Sequence, residues 1–160
     1  MKILLAIDGS EENKAVVNKV AGRIFPPKTK LRIVSVYQTI SQISALETMG
    51  VLQEYYTETD KHLLKQTQGY LDDAEKVLSK KNPTLMITKA ALIGSPKNVI
   101  LEDAEKFGAD LIIVGSHGYG FMDRLFLGSV SHAVALHAKC SVEIVRIQNK
   151  NLSKIKLKRK

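Results

Sequence analysis

The sequence predicts a single doubly wound α/β domain, a mostly parallel sheet sandwiched between helices. Strand-like and helix-like segments alternate along the 160 residues with no internal repeat. The candidate strands KILLAI (2–7) and DLIIV (110–114) are continuous apolar runs, the pattern of parallel strands buried on both faces. Chain-breaking residues then fall between the segments, at Asp8-Gly9, Pro26-Pro27, Pro83, Ser95-Pro96 and Gly108. A chain of this length is long enough for one well-buried domain and too short for two comfortable ones.

Each element has its own warrant. After the first strand, Ser10 is the expected N-cap of a helix with Glu11 and Glu12 in its first turn. Ala15, Val16, Val20 and Ile24 form its apolar stripe, and Pro26-Pro27 stops it. KLRIVSVY (30–37) reads as the second strand, and 38–56, around Gly50, as a loop with some helix. A long polar helix follows over 57–82, with Leu63, Leu64, Tyr70, Leu71, Ala74 and Leu78 near helical spacing, and Pro83 marks its end. TLMITKAALI (84–93) is the third strand. Ser95-Pro96 then places a cap and a proline at the first helical position. That helix turns Val99, Ile100, Ala104 and Phe107 inward and closes at Gly108. The fourth strand covers 110–114, a glycine-rich loop leads to a helix over about 129–138, and SVEIVRI (141–147) alternates as an edge strand does.

Composition narrows the function classes. An apolar fraction of 44% with 25% charged residues is that of an ordinary globular protein. No apolar run approaches the ~20 residues of a membrane-spanning helix. The five-residue apolar run before Asp8 is also too short for a secretory signal, so none is expected. Cys140 is the single cysteine, which excludes an internal disulfide and any multi-cysteine metal site, and a cytoplasmic setting is expected. The net charge of +8 is concentrated in residues 149–160, which hold six Lys and Arg and no acid. Residues 1–147 therefore read as the domain and 148–160 as a basic tail. Nucleic acid is not the expected partner, although such a tail can attract acidic ones.

Ligands of open parallel sheets bind beyond the carboxyl ends of the strands, where strand order reverses. Asp8-Gly9-Ser10, Val36-Tyr37, Gly94-Ser95 and the loop from Gly115 stand at those ends. If strands one and four are neighbours, Asp8 faces the stretch VGSHGYGFMDRLFLGS (114–129). That stretch is not a Walker A loop, because Phe121 stands where its lysine belongs, nor a dinucleotide fingerprint, because Asp123 replaces its last glycine. It contains no G-x-S-x-G elbow either. What it does contain is Gly115-x2-Gly118-x9-Gly128-Ser129, running from a buried strand to a helix start. Gly115 and Gly118 allow sharp turns that expose N–H groups, Gly128 admits close approach, and Ser129 sits at a helix N-terminus suited to phosphate. Arg124 adds a positive charge. A long surface loop with glycines for flexibility is the plainer alternative.

The stretch DLIIVGSHGYGFMDRLFLGSVSHAVALHAKCSVEIVR and the opening KILLAIDGSEENKAV resemble the universal stress protein family, over residues 1 to about 147. The resemblance implies a five-stranded sheet of order 3-2-1-4-5 and a homodimer joined through the last strand, 141–147. It implies the branch of the family that binds ATP, with magnesium bridging the phosphates. Ile7, Asp8, Val36, Gly115, Ser116, Gly118, Arg124, Gly128, Ser129 and Val130 are then the nucleotide-binding residues. Asp8 meets the ribose or adenine side, Val36 contacts adenine through its backbone, and Gly115, Gly118, Gly128, Ser129 and Val130 line phosphates and ribose. No catalytic residue and no metal ligand from the protein alone is expected. A family member acting only through protein contacts, and a slow ATPase or adenylyl-transfer enzyme, are the alternatives. Ser141 stands where the family commonly has proline, which bears on the edge strand alone.

Other chemistry-bearing residues read as structural. His117 either touches a phosphate or faces solvent, and His132 and His137, five apart on one helix, do not form a metal pair. Cys140 reads as a small apolar packing residue, and Tyr55-Tyr56 as core or interface aromatics.

Overall fold

The computed structural model describes residues 1–39, 53–118 and 127–147. Its elements follow in the order β1 (Lys2–Ile7), α1 (Glu11–Ala21), β2 (Lys30–Tyr37), α2 (Gln53–Lys81), β3 (Met86–Ile93), α3 (Pro96–Phe107), β4 (Leu111–Gly115), α4 (Ser129–His137) and β5 (Ser141–Val145). The five strands form one sheet in the order β3-β2-β1-β4-β5, and every pairing is parallel. Central β1 places Leu5 between Ile33 and Ile113. This is the doubly wound architecture and strand order expected.

The apolar runs of β1 and β4 are divided between two cores. Ile3, Leu5, Ile7 and Ile113 face α1 and α2, where Val16, Val20, Leu71, Ala74 and Leu78 cover them. Leu4, Ala6, Ile112 and Val114 face the other way, onto Ile100 and Ala104 of α3 and Val134 of α4. Each fully buried Leu, Ile or Val contributes about 1.5–3 kcal/mol relative to exposure, so both faces drive the fold.

Local signals set most of the boundaries, and the exceptions have causes. The Ser10 hydroxyl caps α1 by accepting the Asn13 N–H at 3.2 Å. The helix ends at Ala21, before Pro26-Pro27, because Gly22 takes the C-cap and donates its N–H to the Asn18 carbonyl at 3.1 Å. Ile24 consequently leaves the apolar stripe and is 99% exposed, while Val17 and Ala21 are buried instead. The long helix α2 begins at Gln53 rather than 57, so the segment 38–56, read as a loop with some helix, contains its first turn. Pro96 does occupy the first turn of α3, but the Ser95 side chain makes no capping bond. Its carbonyl accepts the Asn98 and Val99 N–H groups, both at 3.0 Å. Phe107 is only half-buried, because its ring carries the Lys2 ammonium at 5.5 Å and the Arg32 guanidinium at 6.0 Å from its centre. β3 starts at Met86 rather than 84, β4 runs to Gly115, and β5 ends at Val145 rather than 147.

Two bidentate ion pairs tie elements together. Arg32 of β2 donates to Asp103 of α3 at 2.6 and 2.8 Å, and Arg23 donates to both oxygens of Glu143 on β5. Among the described residues no helix is long and apolar enough to cross a membrane. The hydrogen bond from Arg23 holds the Glu143 carboxyl below its ordinary range. A carboxylate depressed in the folded state stabilises it at neutral pH, and that contribution is lost as pH falls through the depressed value. Glu143→Gln is therefore expected to cost at most about 1 kcal/mol near neutrality, both side chains being partly solvated. In acid below that depressed value the cost vanishes, and urea unfolding of parent and variant across this pH range checks the difference.

Candidate functional site

The chain leaves β1 for β2 on one side and later enters β4 on the other, so β1 and β4 part at their carboxyl ends. A cleft of about 240 Å³ opens there. Its walls divide by chemistry. Ala6, Val36, Pro96, Ile100 and Val114 make an apolar half, while Asp8, Asn13, His117, Gly118 and the Gly128–Ser131 turn make a polar half.

The polar half is built from backbone as much as from side chains. Helix α4 starts in the cleft with Gly128 as its N-cap and no side-chain capping bond. The first N–H groups of such a helix have no partner within it and carry the positive end of its dipole. The start of α4 is anchored by the Ser116 carbonyl, which accepts the Gly128 N–H at 2.9 Å and the Ser131 hydroxyl at 3.1 Å. Opposite, one Asp8 oxygen, Oδ1, accepts the Ser10 N–H at 2.9 Å and the Asn13 amide at 2.5 Å. The other, Oδ2, lies 2.5 Å from where a Cβ on Gly118 would stand. A side chain at position 118 would therefore displace the Asp8 carboxylate.

Of the residues expected to bind nucleotide, Ile7, Asp8, Val36, Gly115, Gly118, Gly128, Ser129 and Val130 all line this one cleft. Ser116 does not. It is 4% exposed, and its hydroxyl lies 2.9 Å from His117 Nδ1. His117 lines the cleft and is buried rather than solvent-facing. Arg124, the side chains of Tyr55 and Tyr56, and the tail from 148 lie outside the described residues. His132 and His137 are exposed, and partial burial pushes the Cys140 thiol above its ordinary value, as in an unreactive packing residue.

Asn13, Pro96 and Ile100 belong to the cleft without having been marked in the sequence. Pro96 followed a strand end, which was a usable signal. Ile100 reads as plain core, and Asn13 belongs to no motif in the sequence.

Gly9, beside Asp8, has φ +81 and lies directly under the Tyr70 ring of α2. Ile7, Gly9, Asn13, Val17 and Tyr70 also border a second cavity of about 180 Å³, between α1 and α2. Its lining comes from the end of β1, the first turns of α1 and the facing side of α2.

A parallel sheet of this strand order, with helices on both faces, defines a doubly wound α/β protein. The model of the universal stress protein family matches residues 1–146. A putative universal stress protein of Staphylococcus epidermidis is 34% identical over 148 residues, covering 91% of this chain and 84% of the relative. The chain belongs to the universal stress protein family.

Solved structures share the fold at lower identity. The universal stress protein UspA from Lactobacillus plantarum superposes with a TM-score of 0.72 at 21% identity, over 91% of this chain and 97% of that one. A universal stress protein in complex with cAMP gives 0.62 at 21%, over 91% and 95%. A family member from Arabidopsis thaliana with AMP bound gives 0.58 at 19%, over 94% of each chain.

The Tyr70 contact generates a stability test. An added Cβ on Gly9 would stand 2.3 Å from the ring, at a backbone angle that side chains rarely adopt. Gly9→Ala is expected to lower stability by about 2 kcal/mol or more. Adding Tyr70→Ala should relieve the steric part, so the double variant loses less than the sum of the singles in urea unfolding.

Proposed function

We propose that the cleft between β1 and β4 binds ATP, with magnesium, and that the protein is a nucleotide-responsive module of the stress response. The observation that carries this reading is the start of α4. It brings the N–H groups of Ser129 and Val130 to the cleft behind side-chain-free Gly128, with no side-chain cap. Such a helix end attracts phosphate. The apolar half supports a place for the base, with Ile7 and the Val36 backbone beside adenine and Asp8 toward the ribose. Gly115, Gly118, Gly128, Ser129 and Val130 then surround ribose and phosphates, and Arg124 supplies charge from the loop. Ser116 serves this site through its backbone, by holding α4 in place.

The bound adenine nucleotides of the two relatives, AMP and cAMP, support the ligand class. Among the described residues no group of three His, Cys, Asp or Glu side chains is placed to hold a metal ion. Magnesium would come with the phosphates, whose charge it offsets. We further propose a homodimer through β5, which is an edge strand of the sheet among the described residues. A cytoplasmic setting accords with the lone Cys140.

Protein purified without added nucleotide, then denatured, is expected to release adenine nucleotide identifiable by mass spectrometry. Failure to release any, with no heat on titration with ATP, would exclude the reading. Gly118→Val puts its side chain into Asp8 and is expected to weaken ATP binding at least ~tenfold while circular dichroism stays unchanged. Deletion of 149–160 is expected to leave ATP affinity within about twofold, less than ~0.5 kcal/mol, in the same calorimetric assay.

A further inference from the structure

Asn13 carries no motif, yet it is among the most constrained polar side chains near the cleft. It is 5% exposed and lies in the first turn of α1, against Gly115 of β4. Its amide nitrogen donates to Asp8 Oδ1 at 2.5 Å and to the Ser10 hydroxyl at 3.2 Å. The amide cannot be turned over, because its oxygen would then face the Asp8 carboxylate. Held this way, Asn13 Oδ1 is buried with no hydrogen-bond partner among the described residues.

That arrangement is hard to explain as support for the helix. Ser10 already caps α1, accepting the Asn13 backbone N–H, and an apolar residue would fill the same space without burying an unmatched carbonyl. What only the amide supplies is a donor to Asp8. With Oδ1 held by Asn13 and by the Ser10 N–H, the carboxylate rotamer is fixed, and Oδ2 is turned toward Gly118 at the polar end of the cleft. We infer that Asn13 is a positioning residue for the nucleotide, its amide holding the Asp8 carboxylate in the orientation that meets the ligand. This inference rests on the nucleotide reading of the cleft.

A substitution that keeps shape but inverts the hydrogen bond isolates the role. In Asn13→Asp two carboxyl groups face each other across the contact. At low pH they share one proton, and the protonated group donates to Asp8 as the amide did. At higher pH both ionise and repel, and Asp8 is driven from its rotamer. Other titratable groups lie near. Glu11, Glu12 and Lys14 share α1, Lys14 being paired with Glu11. Tyr70 and Asp73 reach in from α2, and His117 from the end of β4. They are present in parent and variant alike, so the informative quantity is the ratio of the two affinities at each pH.

ATP affinity is measured by titration calorimetry for the full chain, Asn13→Asp and Asn13→Leu, from about pH 5 to about pH 8. The Asn13→Asp ratio is expected to lie near the parent's at the acid end and to fall at least ~tenfold by the alkaline end. Asn13→Leu is expected to bind at least ~tenfold more weakly at every pH, because it supplies no donor at any. A ratio for Asn13→Asp that does not change with pH overturns the inference, since a purely structural role would weaken binding without that dependence. So does parental affinity in Asn13→Leu, which decides the matter even if Asn13→Asp does not fold. A parent that binds no ATP at any pH removes the nucleotide reading itself, an outcome distinct from the other two.

Discussion

The backbone of Ser116 is the point on which the cleft depends. Its N–H donates to the Val145 carbonyl of β5 at 3.0 Å, and its carbonyl accepts the Gly128 N–H at 2.9 Å. The Ser131 hydroxyl adds a second bond to the same carbonyl. One residue thus continues the sheet past the end of β4 and fastens the first turn of α4 to it. A net contribution of about 1 kcal/mol per bond is modest against the whole fold, but these bonds decide geometry more than stability. With Val134 packed in the core beneath, they fix the start of α4 beside the strand ends.

The remainder of the site follows from the sheet. Because β1 is central and buried on both faces, its last residues cannot move without disturbing two cores. Asp8, immediately after it, inherits that rigidity, and the Ser10 and Asn13 bonds remove its remaining freedom. On the opposite wall Pro96 and Ile100 extend the apolar lining from β2 and β4. Apolar side chains on regular elements and polar groups on the connections between them thus meet at one set of strand ends.

The architecture was legible because its signals are local. Continuous apolar runs mark the central strands, and Ser10, Pro96 and Gly108 mark helix ends. Strand order is not a local property, and it came only from resemblance to a family. Boundaries slipped where two signals competed. Gly22 ended α1 before Pro26-Pro27 could, and so Ile24, in step with the apolar stripe, is exposed. In the cleft, positions marked by glycines and strand ends were readable, because backbone approach demands particular residues. Asn13 was not, because its task depends on a partner five residues earlier whose carboxylate must be oriented, and neither spacing nor composition encodes that. Ser116, named with the glycine-rich loop, does not line the cleft; its side chain is buried and its backbone is bonded to β5 and α4.

The junction at Ser116 has a consequence for how the family can vary. Residues 119–126 lie between a strand end and a helix start that are bonded directly to each other. Two ends fastened together fix the closure of whatever lies between them, and the entropy of that closure depends only weakly on length. The helix thus keeps its footing, and the sheet stays unstrained, when the number of residues between the two ends changes.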